Sequence, residues 1–146
     1  MYTIPRLIRP QIIHRLQTTS KAVIIYGPRQ VGKTTLVMNL LKEISSNPLI
    51  VTADEKKYID VFSSKDLSII KSLVSGYDTI FLDEAQRIPD IDIAIKLIID
   101  QMPGLKVIVT GSSSLDLANQ VSEPLTGRAW FYNLYPISIS ELRQIK

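Results

Sequence analysis

The sequence predicts an α/β fold, a three-layer α/β/α sandwich around a mostly parallel central sheet. Three observations carry this. Short apolar runs recur: AVIIY at 22–26, LIVT at 49–52, TIFL at 79–82 and LKVIVT at 105–110. The runs at 22–26, 79–82 and 105–110 read as buried strands of a parallel sheet. Longer segments with apolar residues at helical spacing lie between them. The first run also passes through a glycine-bearing turn straight into a helix-period segment, a strand–turn–helix order.

The bulk properties narrow the class. A chain of 146 residues is one domain with enough residues for a real core. Hydrophobic content of 45% and charged content of 21% are ordinary for a globular protein. No apolar run approaches the roughly 18 residues of a membrane span. The opening MYTIPRLIRPQIIHRL has neither a long apolar stretch nor a small-residue cleavage site, so no secretory signal is expected. The absence of cysteine excludes disulfides and thiolate metal sites and fits a cytoplasmic protein. A net charge of +3 suits anion binding without demanding nucleic acid. No basic run with interleaved aromatics marks a nucleic-acid patch.

Taken in order, RLIRPQIIHRLQTT reads as a helix starting near Pro10, with Leu7, Ile8, Ile12 and Leu16 toward one face. Arg6, Arg9 and Arg15 form a basic face better read as solvated than as ligand-binding. His14, the one histidine, reads as structural or exposed. A strand at 22–26 leads through the turn into a helix to about Ile44, carrying Leu36, Val37, Leu40, Leu41 and Ile44 on its apolar face. Ser45 to Pro48 break it, and Leu49–Thr52 form the second strand. Ala53–Tyr58 is polar and expected as loop, with Asp54 and Glu55 read as solvated carboxylates. Ser64 is the expected cap of a helix carrying Leu67, Ile70, Leu73 and Val74, ended by Gly76. Thr79–Gln86 reads as a buried strand whose end carries Asp83 and Glu84. A helix follows from about Asp90 to Gln101, closed by Pro103 and Gly104. Another buried strand leads into a hydroxyl-rich turn. DLANQ reads as a short helix, 122–128 as a loop, AWFYNL as an aromatic strand, and Ser138 or Ser140 as caps of a last turn.

Gly27, four intervening residues, then Gly32, Lys33 and Thr34 form the full P-loop pattern in the strand–loop–helix context that it requires. Such a loop wraps backbone N–H groups around phosphate, and the following helix aims its positive end at the same anion. The expected nucleotide-binding residues are Gly27, Pro28, Arg29, Gln30, Val31, Gly32, Lys33, Thr34 and Thr35, with Ser112 across the site. Lys33 brings charge to the β- and γ-phosphates and Thr34 a hydroxyl to Mg²⁺. A strand-end carboxylate completes the metal anchor, and Asp83 fits; Glu84, beside it, is placed to take a proton from water. With Leu49–Thr52 at the sheet edge, the strand around Val107–Thr110 inserts between the P-loop strand and the Asp83 strand. That brings Thr110, Ser112 and Ser113 to the rim. Arg128 is the leading arginine for charge on the transferred phosphate, in cis or from a neighbouring subunit; Arg29 and Arg87 compete.

GPRQVGKTTL, IFLDEAQRIPD, VIVTGSSS and LTGR followed by LYPISISEL together resemble a family of prokaryotic AAA-type ATPases, from about Leu7 to Leu142. The resemblance implies a P-loop NTPase sandwich with AAA-like strand order, ATP and Mg²⁺ as ligands, and a C-terminal domain of unknown function after the ATPase domain. It implies nucleotide and metal contacts at Lys33 and Thr34 and a Walker B pair at Asp83 and Glu84. A sensor-like strand ending Thr110-Gly111-Ser112 and a finger-like Arg128 in a Gly-Arg motif are also implied. Family members continue beyond the length of this chain, so 1–146 is expected to be an ATPase domain without the helical lid and C-terminal domain.

The leading expectation is Mg-dependent hydrolysis of ATP, with Glu84, Lys33 and Arg128 as catalytic residues and Thr34 and Asp83 at the metal. The alternatives are a nucleotide-dependent switch or scaffold with little turnover, and a DNA-associated ATPase. A finger arginine acting in trans requires self-association. A GTPase is disfavoured because no Asn-Lys-x-Asp segment follows the P-loop. A small-molecule kinase is disfavoured because no acceptor pocket or arginine-rich lid is evident.

Overall fold

The computed structural model describes residues 8–28, 32–112 and 125–134. Within them α1 (Arg9–Thr18) precedes β1 (Ala22–Gly27), α2 (Lys33–Ile44), β2 (Pro48–Thr52), α3 (Lys56–Phe62) and α4 (Leu67–Val74). β3 (Thr79–Asp83) is followed by a 3₁₀ turn at Ala85–Arg87, then α5 (Ile91–Gln101), β4 (Lys106–Ser112) and β5 (Ala129–Asn133). The five strands lie in the order β2-β3-β4-β1-β5, and every neighbouring pair is parallel.

Alternation along the buried strands builds the layers. Val23, Ile25, Phe81 and Ile108 face α1 and α2, packing with Ile12, Leu16, Leu36, Val37 and Leu40. Ala22, Ile24, Leu49, Val51, Ile80, Leu82, Val107 and Val109 face the other way, against Phe62 of α3, Ile70 and Val74 of α4, and Ile95 and Ile98 of α5. Both faces of β1, β3 and β4 are therefore covered, as their continuous apolar runs require, while the edge strand β2 leaves Ile50 37% exposed. The expected sandwich and the insertion of β4 between β1 and β3 are both present.

Two local expectations are corrected. Lys56–Tyr58 is not loop but the start of α3; its first residues are polar, and the buried residue that docks the helix, Phe62, lies further on. The cap of α4 is Asp66, not Ser64: its carboxylate accepts from the backbone N–H of Ser68 at 2.9 Å and of Ile69 at 3.5 Å. Ser64 instead turns its hydroxyl back to the Val61 carbonyl at 2.6 Å. The readings at DLANQ, 122–124, Ser138 and Ser140 lie outside the described residues, as do Arg6 and Leu7.

A polar clamp fixes the amino end of the sheet. Asp78, just before β3, accepts from the Ser46 N–H at 2.9 Å, the Ser46 hydroxyl at 2.9 Å and the Asn47 N–H at 3.1 Å, and from the Ser45 hydroxyl. Its own backbone N–H donates to the Asn47 carbonyl at 3.1 Å, and its carbonyl accepts from the Lys106 N–H at 3.1 Å. One residue thus joins the α2–β2 turn, β3 and β4. Partial burial pushes the Asp78 carboxyl up, but the hydrogen bonds from Ser45 and Ser46 outweigh it and hold it well below its ordinary 3.8.

Candidate functional site

Strand order decides which side chains meet. Because β4 lies between β1 and β3, the carboxyl ends of all three open onto one rim, with Gly27 paired to Ser112 and Leu82 to Val109. α2 begins at the same rim, its N-cap Gly32 at φ 89°. That left-handed conformation is the physical demand for glycine at 32. Gly27 answers a different demand. Its missing Cβ makes room for the Leu134 carbonyl, which a side chain would strike. Leu134 is held there by its N–H on the Tyr26 carbonyl at 2.8 Å. The crowding at Gly27 therefore comes from the end of β5.

Lys33 is buried, 5% exposed, and its Nζ donates to the carbonyls of Gly27 at 2.7 Å and Pro28 at 3.0 Å. A buried ammonium needs such partners, and here they hold the charge at the end of β1. Gly32, Lys33, Thr34, Thr35 and Glu84 line a cavity of about 180 Å³. Arg29, Gln30 and Val31 lie outside the described residues, as does Ser113.

Next to Thr34 of this lining, the Asp83 carboxylate gathers two hydroxyls. Thr34 Oγ1 donates to its Oδ1 at 3.0 Å, and Thr110 Oγ1 donates to the same oxygen at 2.6 Å. Thr110 is fully buried. Its hydroxyl also accepts the Glu84 N–H at 3.2 Å. Glu84 itself is left-handed, φ 56° and ψ 48°, a costly conformation for a residue with a Cβ. It places the carboxylate on the cavity wall, where Gln86 Nε2 donates to Oε2 at 2.5 Å. Gln86 Oε1 accepts the Ser112 N–H at 3.4 Å.

The sequence-derived candidates Gly27, Gly32, Lys33, Thr34, Thr35, Asp83, Glu84 and Ser112 thus share one rim, with Pro28 present through its carbonyl. Arg128 does not join them. It precedes β5 at the amino end of the sheet, where its carbonyl accepts the Ala22 N–H at 2.9 Å. A six-residue strand of about 3.3 Å per residue separates it from the rim. Its guanidinium makes a fork on Asp100, Nε–Oδ1 2.7 Å and Nη2–Oδ2 3.0 Å. That hydrogen-bonded pair lowers the Asp100 carboxyl and raises Arg128 from their ordinary values. Of the two arrangements expected for Arg128, in cis or from a neighbouring subunit, this geometry speaks against the first. Arg87 stands near the rim but pairs with Asp54 at 2.5 Å. Asp54 and Glu55 are exposed, as expected of solvated carboxylates.

Gln86 is the site neighbour that motif reading passed over. Its signal was its place two residues after Glu84, which a 3₁₀ turn folds back onto the carboxylate. Among the described residues no group of three or more His, Asp or Glu side chains converges on a metal-sized space, and no helix is long and apolar enough to cross a membrane.

A parallel sheet with a glycine-bearing loop and a helix N-terminus at its carboxyl edge defines a P-loop nucleotide-binding fold. Residues 19–143 match the AAA domain family, and the chain belongs to it. It is 33% identical over 132 residues to an uncharacterized protein of Mycobacterium tuberculosis, Rv2008c, covering 89% of this chain and 28% of that one. An uncharacterized Methanocaldococcus jannaschii protein, MJ1544, is 25% identical over 130 residues, covering 87% of this chain and 29% of that one. This chain therefore spans under a third of the length of these relatives. Among solved structures, the RuvB Holliday junction branch migration motor of Thermotoga maritima shares the fold at a TM-score of 0.61 and 20% identity, over 94% of this chain and 47% of that one. A DNA polymerase III gamma subunit-related protein of the same organism does so at 0.57 and 10% identity, over 90% of this chain and 47% of that one.

Proposed function

We propose that this chain is a Mg-dependent ATPase domain. The observation that carries the reading is that Lys33, Thr34 and Glu84 line one cavity at the start of α2, with Asp83 hydrogen-bonded to the Thr34 hydroxyl. The loop N–H groups and the α2 terminus would receive phosphate, and Lys33 would turn from the Gly27 and Pro28 carbonyls to it.

The donor set suits Mg²⁺, which is bound by one or two carboxylates with the rest of its shell from phosphate and water. Thr34 and Asp83, already 3.0 Å apart, are the residues that would hold it. When bound, the ion neutralises charge on the phosphate oxygens. Thr110 keeps Asp83 turned toward Thr34. Glu84 accepts the proton of the attacking water, a role open to it because Asp83 rather than Glu84 takes the hydroxyls.

The finger-like role of Arg128 is retained only for the site of a second copy, which makes self-association its condition. The likeness to RuvB is one of fold and brings no DNA partner to this chain. A cytoplasmic location rests on the sequence reading alone. The test is phosphate release from ATP in Mg²⁺ and in excess chelator. Release that requires Mg²⁺ is expected; none in Mg²⁺, or equal release in chelator, would contradict the reading.

A further inference from the structure

The Glu84 carboxylate is not left to choose its own rotamer. Ala85 is fully buried and Ile88 nearly so, which anchors both ends of the 3₁₀ turn between them. The turn carries Gln86 back over Glu84, and the side-chain amide spans from Glu84 Oε2 (2.5 Å) to the backbone N–H of Ser112 (3.4 Å). Only one amide orientation serves both contacts, donor to the carboxylate and acceptor from the N–H. The backbone of Glu84 is held from the same strand, through Thr110. β4 therefore fixes Glu84 twice, by its main chain and by its carboxylate.

We propose that Gln86 is a positioning residue for Glu84: it holds one carboxylate oxygen against the end of β4 so that the other faces the phosphate cavity. This rests on the hydrolytic reading above. Gln86 acts through Glu84, as the orienting member of a base–orienter pair does. It also gives β4 a physical route to the base, since a shift of Ser112 carries the amide and the carboxylate with it.

Two substitutions separate the positioning role from a scaffolding one. Gln86→Glu keeps an acceptor for the Ser112 N–H but cannot donate to ionised Glu84. Gln86→Met removes both contacts at similar volume. Each is expected to lower kcat for MgATP about tenfold while KM and calorimetric ATP affinity stay within about twofold. In a Glu84→Gln background neither should lower single-turnover rates further, because the group being positioned is gone. Thermal unfolding of each variant confirms that the fold persists. Unchanged kcat in Gln86→Glu, or a loss that multiplies with Glu84→Gln, would overturn the proposal while leaving the ATPase reading standing. A wild type without turnover, or a Glu84→Gln that turns over normally, would overturn the reading and this inference together.

Discussion

The two ends of the sheet use polar residues in opposite ways. At the amino end they close on one another. Asp78 takes hydrogen bonds from Ser45, Ser46 and Asn47, Arg128 forks onto Asp100, and Trp130 lies under the Arg15 guanidinium at 3.8 Å while its Nε1 donates to Thr19. At the carboxyl end they close on a cavity. Thr34 and Thr110 share one oxygen of Asp83, Lys33 is held on the Gly27 and Pro28 carbonyls, and Glu84 accepts a left-handed backbone to stand on the wall. The first arrangement satisfies its groups and contributes stability. The second places charge and strain around a space, which is what a binding site requires. The lesson is that partner geometry separates an arginine such as Arg128 from site residues when motif reading does not.

That contrast predicts which changes affect turnover and which affect folding. The largest effect is expected at Glu84: Glu84→Gln should lower ATP turnover about a hundredfold or more, with the unfolding temperature little changed. Next, Asp78→Ala should leave MgATP affinity intact and destabilise the fold by about 2 kcal/mol, read by urea unfolding, because several donors lose one charged acceptor. Its carboxyl is depressed below 3.8 in the fold. Its contribution is therefore complete well above that value and lost as the pH falls through it toward the folded value. Wild-type stability should drop between about pH 5 and pH 2 more steeply than that of Asp78→Asn. A smaller change is expected for Arg15→Ala, about 0.5–1 kcal/mol from the lost ring contact, again without effect on nucleotide binding. Smallest of all, Arg128→Ala should keep the ATP affinity of its own chain within about twofold. A large loss of affinity in Asp78→Ala or Arg128→Ala would break the division between the ends.

Much of this was legible in the sequence because local patterns carry it. Continuous apolar runs marked the buried strands, and the Gly27-to-Thr34 spacing marked the loop and the start of α2. Asp83 and Glu84 stood out because they follow an apolar run directly. What escaped depends on contacts between distant segments. That Gly27 makes room for Leu134 needs β5 beside β1. That Arg128 lies far from the loop needs the parallel direction of β5, which places its start at the amino end. Gln86 escaped because an amide two residues from a carboxylate faces it only in a turn whose shape the sequence did not announce. α3 was read partly as loop because its polar start hid the docking of Phe62.

The central claim is that the cavity at the start of α2 binds MgATP through Lys33. Calorimetry of MgATP binding to the wild type and to Lys33→Met, which keeps the buried stem and removes the charge, tests it most directly. The account predicts saturable one-to-one binding by the wild type and a loss of about tenfold or more in the variant. Equal affinity in the two folded proteins would contradict it.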